Sequence, residues 1–600
     1  MSAPPNPALA DTASATSHGY PRPQLVREHW TSLNGPWDFS IDHDGRWAVA
    51  ADVSFDRTIQ VPFSPETRAS GIADTGLHKA CWYRRTIHVA GERRRPGGRV
   101  LLHFGAVDHT ATVWVNGRLA VTHEGGYTPF CADITTLLDA DGAGTIVVHA
   151  VDDPHDLAKP RGKQDWLLDP HSIWYPRTSG IWQTVWLEYV PETWISRITW
   201  TPNLERWEIG CAVWLAGAYE AGQRLHVRLT LRDTVLADDT YLVTAGEVHR
   251  RIVLSDPGID DYRNDLLWNP STPRLIAAEV TLLDNEGRVI DTIASYTALR
   301  SIAVDGDRVV LNGRPYQLRL ILDQGYWPES GMTSPSDEAL RRDVELAKAM
   351  GFSGVRKHQK IEDPRYLYWA DRLGLLVWAE MPSAYRFTQE SIQPTTREWM
   401  AVIHRDLSHP CIIAWVPFNE SWGVPNLAMN AAERNYVRAL YHLTKTLDPT
   451  RPVIGNDGWE SVATDIIGIH DYDADPARIA RRYHADEILP RLFKRERPGG
   501  RLLVLEGDRH VDQPIVLSEF GGISLARESG HAWGYSRAAT DSMLAVQYTA
   551  LLGVVRSLGV LSGFCYTQFA DTYQEANGLL YADRTPKFPI EEIAAATRGL

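Results

Sequence analysis

Two glutamates have the residue type and the placement to do chemistry. Glu420 follows Asn419 just past an apolar run at 411–416 (CIIAWV) that stops at Pro417. Glu519 follows a second apolar run at 515–517 (IVL) and precedes Phe520-Gly521-Gly522, whose glycines let the backbone turn sharply into a cleft. A carboxylate at the C-terminal end of a buried strand suits an α/β barrel, which builds its chemistry where strands end. Glycosidic bond cleavage needs a pair: one carboxylic acid to protonate the leaving oxygen and one carboxylate to attack the anomeric carbon, about 5 Å apart in retaining enzymes. A lone Glu at a strand end reads first as a salt bridge or a helix cap. Two of them, each in an unusual local context, point to catalysis.

Those two runs belong to a regular series. Past Val310 the pattern alternates strand and helix, as a parallel barrel requires. Strands are expected at 316–322, 354–358, 375–378, 411–416, 452–455, 466–469, 515–517 and 563–566, eight in about 290 residues. The stretch 502–505 is also strand-like and shifts the count by one if it joins the sheet. Helices are expected with Ser334 as cap and Pro335 at the first position, after Asp363-Pro364 as far as Gly374, over 396–407 and over 430–447. On this count Glu420 ends strand four and Glu519 ends strand seven. Upstream, 25–190 reads as all-β, with short alternating strands and an Asn116-Gly117 hairpin signal, hence a sandwich or jelly roll. Residues 191–302 continue in strands and suit an immunoglobulin-like sandwich, leaving 303–600 as the barrel.

Composition narrows the class. The chain has 600 residues, 44% hydrophobic and 23% charged, in keeping with a globular protein of several domains. A net charge of −14 gives no support for nucleic acid or an anionic membrane as partner. Five cysteines (Cys81, Cys131, Cys211, Cys411, Cys565) have no motif spacing, and among the 21 histidines no metal-ligand pair stands out. No metal, cofactor or disulfide framework is therefore expected. Residues 1–24 lack the features of a signal peptide and read as a disordered tail; no run is long enough to span a membrane, and the cytoplasm is the default.

The motifs themselves are recognisable. The chain resembles glycoside hydrolase family 2, the family of β-galactosidases, β-glucuronidases and β-mannosidases, from Val26 onward. The matching stretches are Leu33-Asn34-Gly35-Pro36-Trp37, Ser179-Gly180-Ile181-Trp182-Gln183, Leu311-Asn312-Gly313-Arg314-Pro315, Trp369-Ala370-Asp371-Arg372, Phe418-Asn419-Glu420, Ser518-Glu519-Phe520-Gly521, Asp583-Arg584 and Pro586-Lys587, in the family's order. The resemblance implies a jelly-roll sugar-binding domain, an immunoglobulin-like domain and a catalytic (β/α)8 barrel. It implies Glu420 as general acid/base and Glu519 as nucleophile. It places Asn419 on the sugar 2-hydroxyl and Tyr472, in His470-Asp471-Tyr472, beside the nucleophile. Oligomers are common in the family, but no interface is identifiable here.

Departures from the family pattern fall around the sugar. Asp323-Gln324 stands where relatives carry Arg-His, Arg356-Lys357-His358-Gln359-Lys360 where they carry His-Tyr-Pro, and Thr567 at the usual Trp. Glu575-Ala576-Asn577 replaces the β-glucuronidase Asn-x-Lys that grips a uronate carboxylate. Asp323 reads as a sugar ligand or a turn cap. Arg356 and His358 read as electrostatic support for the nucleophile or a structural ion pair. Trp459 reads as a sugar platform or a packed loop residue. Lys360 and His470 complete the expected substrate-binding set. Glu380 reads as support, and Glu506 is the rival nucleophile. The expectation is a retaining exo-β-glycosidase acting on a small oligosaccharide or glycoside. Alternatives are a pentofuranosidase, galactofuranosidase or transglycosylase using the same carboxylates, or a non-catalytic carbohydrate-binding protein.

Overall fold

A computed structural model describes residues 6–94, 96–254, 264–484, 501–505, 512–525 and 533–600. Between Trp30 and Val190, a six-stranded and a four-stranded antiparallel sheet face each other. Thr110–Val115 shows why: Ala111, Val113 and Val115 are buried while the residues between them are half-buried. This period-two burial puts one face of the strand into a core with Phe39, Tyr83 and Phe104. Asn116 and Gly117 both adopt positive φ, the turn that matches the twist of the hairpin Val115–Arg118 closes. A second sandwich, of three- and four-stranded sheets between Thr193 and Thr297, closes around Trp200, Val213, Val227 and Ile293.

The barrel follows. Its first to fourth strands are Leu318–Asp323, Gly354–Lys357, Leu376–Glu380 and Ile412–Val416, all parallel neighbours. The sixth to eighth are Ile467–Asp471, Ile515–Gly521 and Leu561–Thr567, and the eighth pairs back onto the first. The fifth position is held by 452–457: Trp415 N donates to Pro452 O (3.1 Å), Ile454 N to Trp415 O (2.9 Å) and Asp457 N to Phe418 O (2.9 Å). The strands are buried on both faces, Ile412–Val416 at every residue, because helices cover the outside. The stretch 502–505 meets Ser461 through Val504 and does not join this sheet, so the strand count stands.

Three local expectations differ from the structure. The helix after the first strand is capped by Ser336, whose side chain accepts from Ala339 N, and starts at Asp337; Ser334 instead donates to Ser336 O. The next-but-one helix begins at Gln389, earlier than 396: Thr388 N donates to Ser391 Oγ (3.0 Å) at its start, and Pro394 sits inside its early turns. Residues 6–24 are not a loose tail. Asn6 donates to Ala278 O (3.0 Å) and Ser295 O (3.3 Å), Glu338 N donates to Ser14 O (3.1 Å), and Tyr20 OH and Arg22 engage the buried Glu188. The segment crosses both sandwiches and the barrel. Polar side chains and backbone groups hold it there, which composition alone does not register.

Candidate active site

The site assembles at the C-terminal ends of the barrel strands around one fully buried cation. Arg356, from the second strand, donates to Glu380 Oε2 (2.8 Å), Glu519 Oε1 (2.8 Å) and Asn419 Oδ1 (2.7 Å), and its NH1 lies 2.8 Å from Asp457 Oδ2. Three carboxylates from the third, fifth and seventh strands are thereby tied to the second. Burial alone would lower the Arg356 pKa, but these anions hold it well above its ordinary value. Glu380 and Asp457 are raised by burial and lowered by Arg356, and the cation wins in both.

His470 and Tyr472, from the end of the sixth strand, complete the centre. The Nδ1 of His470 lies 2.6 Å from Glu420 Oε1, and its Nε2 lies 3.3 Å from both Glu519 Oε1 and Asp457 Oδ2. Burial disfavours its charged form, but Glu519, Asp457 and Glu420 push its pKa up to about 10, so the ring is an imidazolium at neutral pH. Tyr472 OH donates to Glu519 Oε2 (2.5 Å) and keeps its proton, its pKa being driven well above the usual value by burial and by Glu519. Burial raises the Glu519 carboxyl, yet His470, Arg356 and His358 outweigh it and hold the group below its ordinary value. Carboxylate oxygens of Glu420 and Glu519 come within 4.8 Å of each other and of a His470 nitrogen.

Glu420 reaches this position by an unusual backbone. It and Ser421 have φ of +50° and +59°, a left-handed turn that non-glycine residues adopt at a cost of about 1–3 kcal/mol. Glu420 N donates to Asp457 O (3.0 Å) and Ser421 N to Asn456 Oδ1 (2.9 Å), which fixes the turn against the fifth strand.

The other expected site residues divide. Asn419, Arg356, His358, His470 and Tyr472 surround the two glutamates; His358 Nδ1 lies 3.0 Å from Glu380 Oε1 and 4.0 Å from Glu519 Oε1. Lys360, expected as a sugar contact, is engaged within the chain. It is buried and donates to Gly325 O (2.6 Å), Met332 O (2.8 Å) and Glu362 Oε2 (3.1 Å), which engages all three N–H groups. Asp323 is likewise held by Lys357 Nζ (2.7 Å) and accepts from Gly325 N (2.9 Å), so it braces the first and second strands and caps the turn between them. Trp459 has the Arg501 guanidinium 3.3 Å over its ring, so that face is taken. Glu506 lies outside the described residues. Asp457 is the participant that sequence reasoning missed. Its only signal was its place at the end of an expected strand.

Comparison with known proteins agrees with this architecture. Residues 302–597 match the TIM barrel domain of glycosyl hydrolases family 2, and residues 30–191 match the sugar binding domain of the same family. The chain belongs to glycoside hydrolase family 2. Within the family it is 27% identical to a β-galactosidase of Thermoanaerobacter pseudethanolicus over 382 residues, which cover 62% of this chain and 48% of that one. It is 26% identical to a β-glucuronidase of Paenibacillus borealis over 465 residues, 72% of this chain and 74% of the relative. The chain spans less than half the length of several β-galactosidase relatives. Among solved structures, a GH2 β-galacturonidase from Eisenbergiella tayi aligns with a TM-score of 0.71 at 20% identity, covering 96% of this chain and 97% of that one. A Bacteroides uniformis β-glucuronidase aligns with a TM-score of 0.74 at 23% identity, covering 95% and 69%. At these identities the structural likeness speaks for the shared fold.

Proposed function

We propose that the chain is a retaining exo-β-glycosidase that acts on small oligosaccharides or glycosides by double displacement. The observation that supports this reading is the approach of one Glu420 oxygen and one Glu519 oxygen to within 4.8 Å, which suits the roughly 5 Å spacing of a retaining pair. Glu519, kept anionic by its cationic neighbours, attacks the anomeric carbon while protonated Glu420 gives its proton to the leaving oxygen. The C–O bond to the aglycone breaks and a glycosyl ester forms on Glu519. Glu420, now a carboxylate, takes a proton from water, and the water oxygen displaces Glu519 with a second inversion. In this reading Asn419 meets the sugar 2-hydroxyl; support comes from its Oδ1 being held by Arg356 and its buried Nδ2 having no partner among the described residues.

The experiment is a proton-NMR record of the first product from a nitrophenyl glycoside, with a 2-deoxy-2-fluoro glycoside used to trap the intermediate. Retention of the β-anomer and a labelled peptide containing Glu519 support the reading. A first-formed α-anomer, or a label elsewhere, overturns it.

A further inference from the structure

Lys163 and Glu575 border the mouth of the barrel beside the two catalytic candidates. Lys163 comes from the first sandwich, on an excursion over 152–176 that is fastened to the barrel. Arg161 N and Gly162 N donate to Ser383 O (3.1 and 3.2 Å), Tyr385 OH to Gly162 O (2.5 Å), and Gln574 Nε2 to Trp174 O (2.6 Å). Gly162 has φ +58°, and a Cβ there would stand 2.2 Å from Gln359 O, so a residue without a side chain is what lets the two domains meet this closely.

The Lys163 ammonium lies 3.9 Å from Glu575 Oε1 and 5.5 Å from the Trp422 ring, and it has no hydrogen-bond acceptor among the described residues although the residue is 4% exposed. Trp422 is two residues past Glu420. Glu575 Oε2 accepts from Gln568 Nε2 (2.9 Å), and Gln568 adjoins Thr567, whose hydroxyl is 3.2 Å from Tyr472 OH on Glu519. The pair thus bridges the wall of Glu420 and the wall of Glu519.

Charge bookkeeping tells what this pair can hold. Arg356 and His470 are matched by the four carboxylates of the centre, Lys357 by Asp323 and Glu362, and Lys360 by Glu362. Lys163 faces Glu575. Arg161, on the same excursion, has no carboxylate partner among the described residues, but its guanidinium is turned to the carbonyls of Pro154, Asp156, Gln164 and Asp165. The adjoining polar groups are neutral: the Tyr175 hydroxyl beside Glu575, and amides of which Gln324 Oε1 and Asn577 Nδ2 are buried without partners, one an acceptor and one a donor. A carboxylate brought to Lys163 would sit against Glu575, whereas a hydroxyl can serve both: it accepts from the ammonium and donates to the carboxylate across a 3.9 Å gap.

We infer that Lys163 and Glu575 jointly bind one hydroxyl of a neutral sugar and that the site discriminates against uronic acids. This rests on the reading of Glu420 and Glu519 as the catalytic pair. The test measures kcat/KM of the full chain on nitrophenyl glycosides of neutral sugars and of the matching uronic acids. Monodeoxy analogues of the preferred sugar follow, on wild type, Lys163→Met and Glu575→Gln. The expected result is a neutral glycoside cleaved at least about 100-fold faster than its uronide, and one monodeoxy analogue at least about 100-fold slower than its parent, because the site's buried polar groups then go unpaired. On that analogue the variants should match wild type, while on the parent they should fall. Preference for the uronide, or equal losses of the variants on every analogue, overturns the inference. The wild-type arms do not depend on the variants folding. A uronide cleaved as fast as its neutral counterpart or faster, with Glu519 labelled, overturns this inference alone; a panel with no cleavage and no label overturns the underlying reading with it.

Discussion

His470 Nδ1 lies 2.6 Å from Glu420 Oε1, and the other nitrogen of the same ring lies 3.3 Å from Glu519 Oε1. One imidazolium therefore stands between the two carboxyl groups and places a positive charge beside both. Burial alone would discharge it, and its anionic neighbours keep it charged.

Replacing His470 by Asn removes that charge. The Glu519 pKa rises, so the acid limb of the pH profile of kcat/KM moves to higher pH, while a purely structural role would lower the whole profile without moving it. The His470 folded pKa, about 10, lies above its unfolded value, so its contribution to stability is complete below about pH 6.5 and disappears as pH rises through 10. Denaturant titrations of wild type and variant should converge above that range.

Arg356→Met leaves Glu380, Asp457 and Glu519 buried without their cation. The expected cost is about 3–5 kcal/mol in urea unfolding at neutral pH, together with loss of turnover. Glu380 and Asp457 have depressed folded pKa values in the wild type, so Arg356 stabilises above their unfolded pKa and that benefit is lost as pH falls through the folded values. The variant's deficit should therefore shrink toward acid pH. A deficit independent of pH contradicts the assignment.

Glu420→Ala should slow glycosides with poor leaving groups about 100-fold more than those with activated nitrophenolates, which need little protonation. A Brønsted plot of kcat/KM against leaving-group pKa reads this directly, as a steeper slope in the variant. Equal losses across the series contradict an acid role.

Glu398 tests the seam between the first sandwich and the barrel. Its Oε1 accepts from Tyr127 N (2.7 Å), its Oε2 is buried without a partner, and burial pushes its pKa up to about 8. The folded state thus binds a proton that the unfolded chain releases near pH 4, so this group's contribution to stability falls as pH rises from about 4 to 8. Glu398→Gln keeps the acceptor without the charge. It should be more stable than wild type at pH 9 and equal to it near pH 4, by thermal unfolding.

Sequence determined much of this protein. The two runs that end at Glu420 and Glu519 are apolar throughout because both faces of a parallel strand are covered, and that signature survives in one dimension. The hairpin at Asn116-Gly117 and the cap at Asp363-Pro364 are local events set by φ, and they were legible for the same reason. Tertiary structure decided what depends on which charges share a buried volume. Nothing in the order of residues says that Asp457 meets Arg356, that Lys360 has all its donors engaged within the protein, or that Lys163 crosses from another domain to face Glu575. Hydrophobic periodicity records where a residue is buried, but the partners of a buried polar group are set by the closure of the barrel, which brings together side chains a hundred or more residues apart.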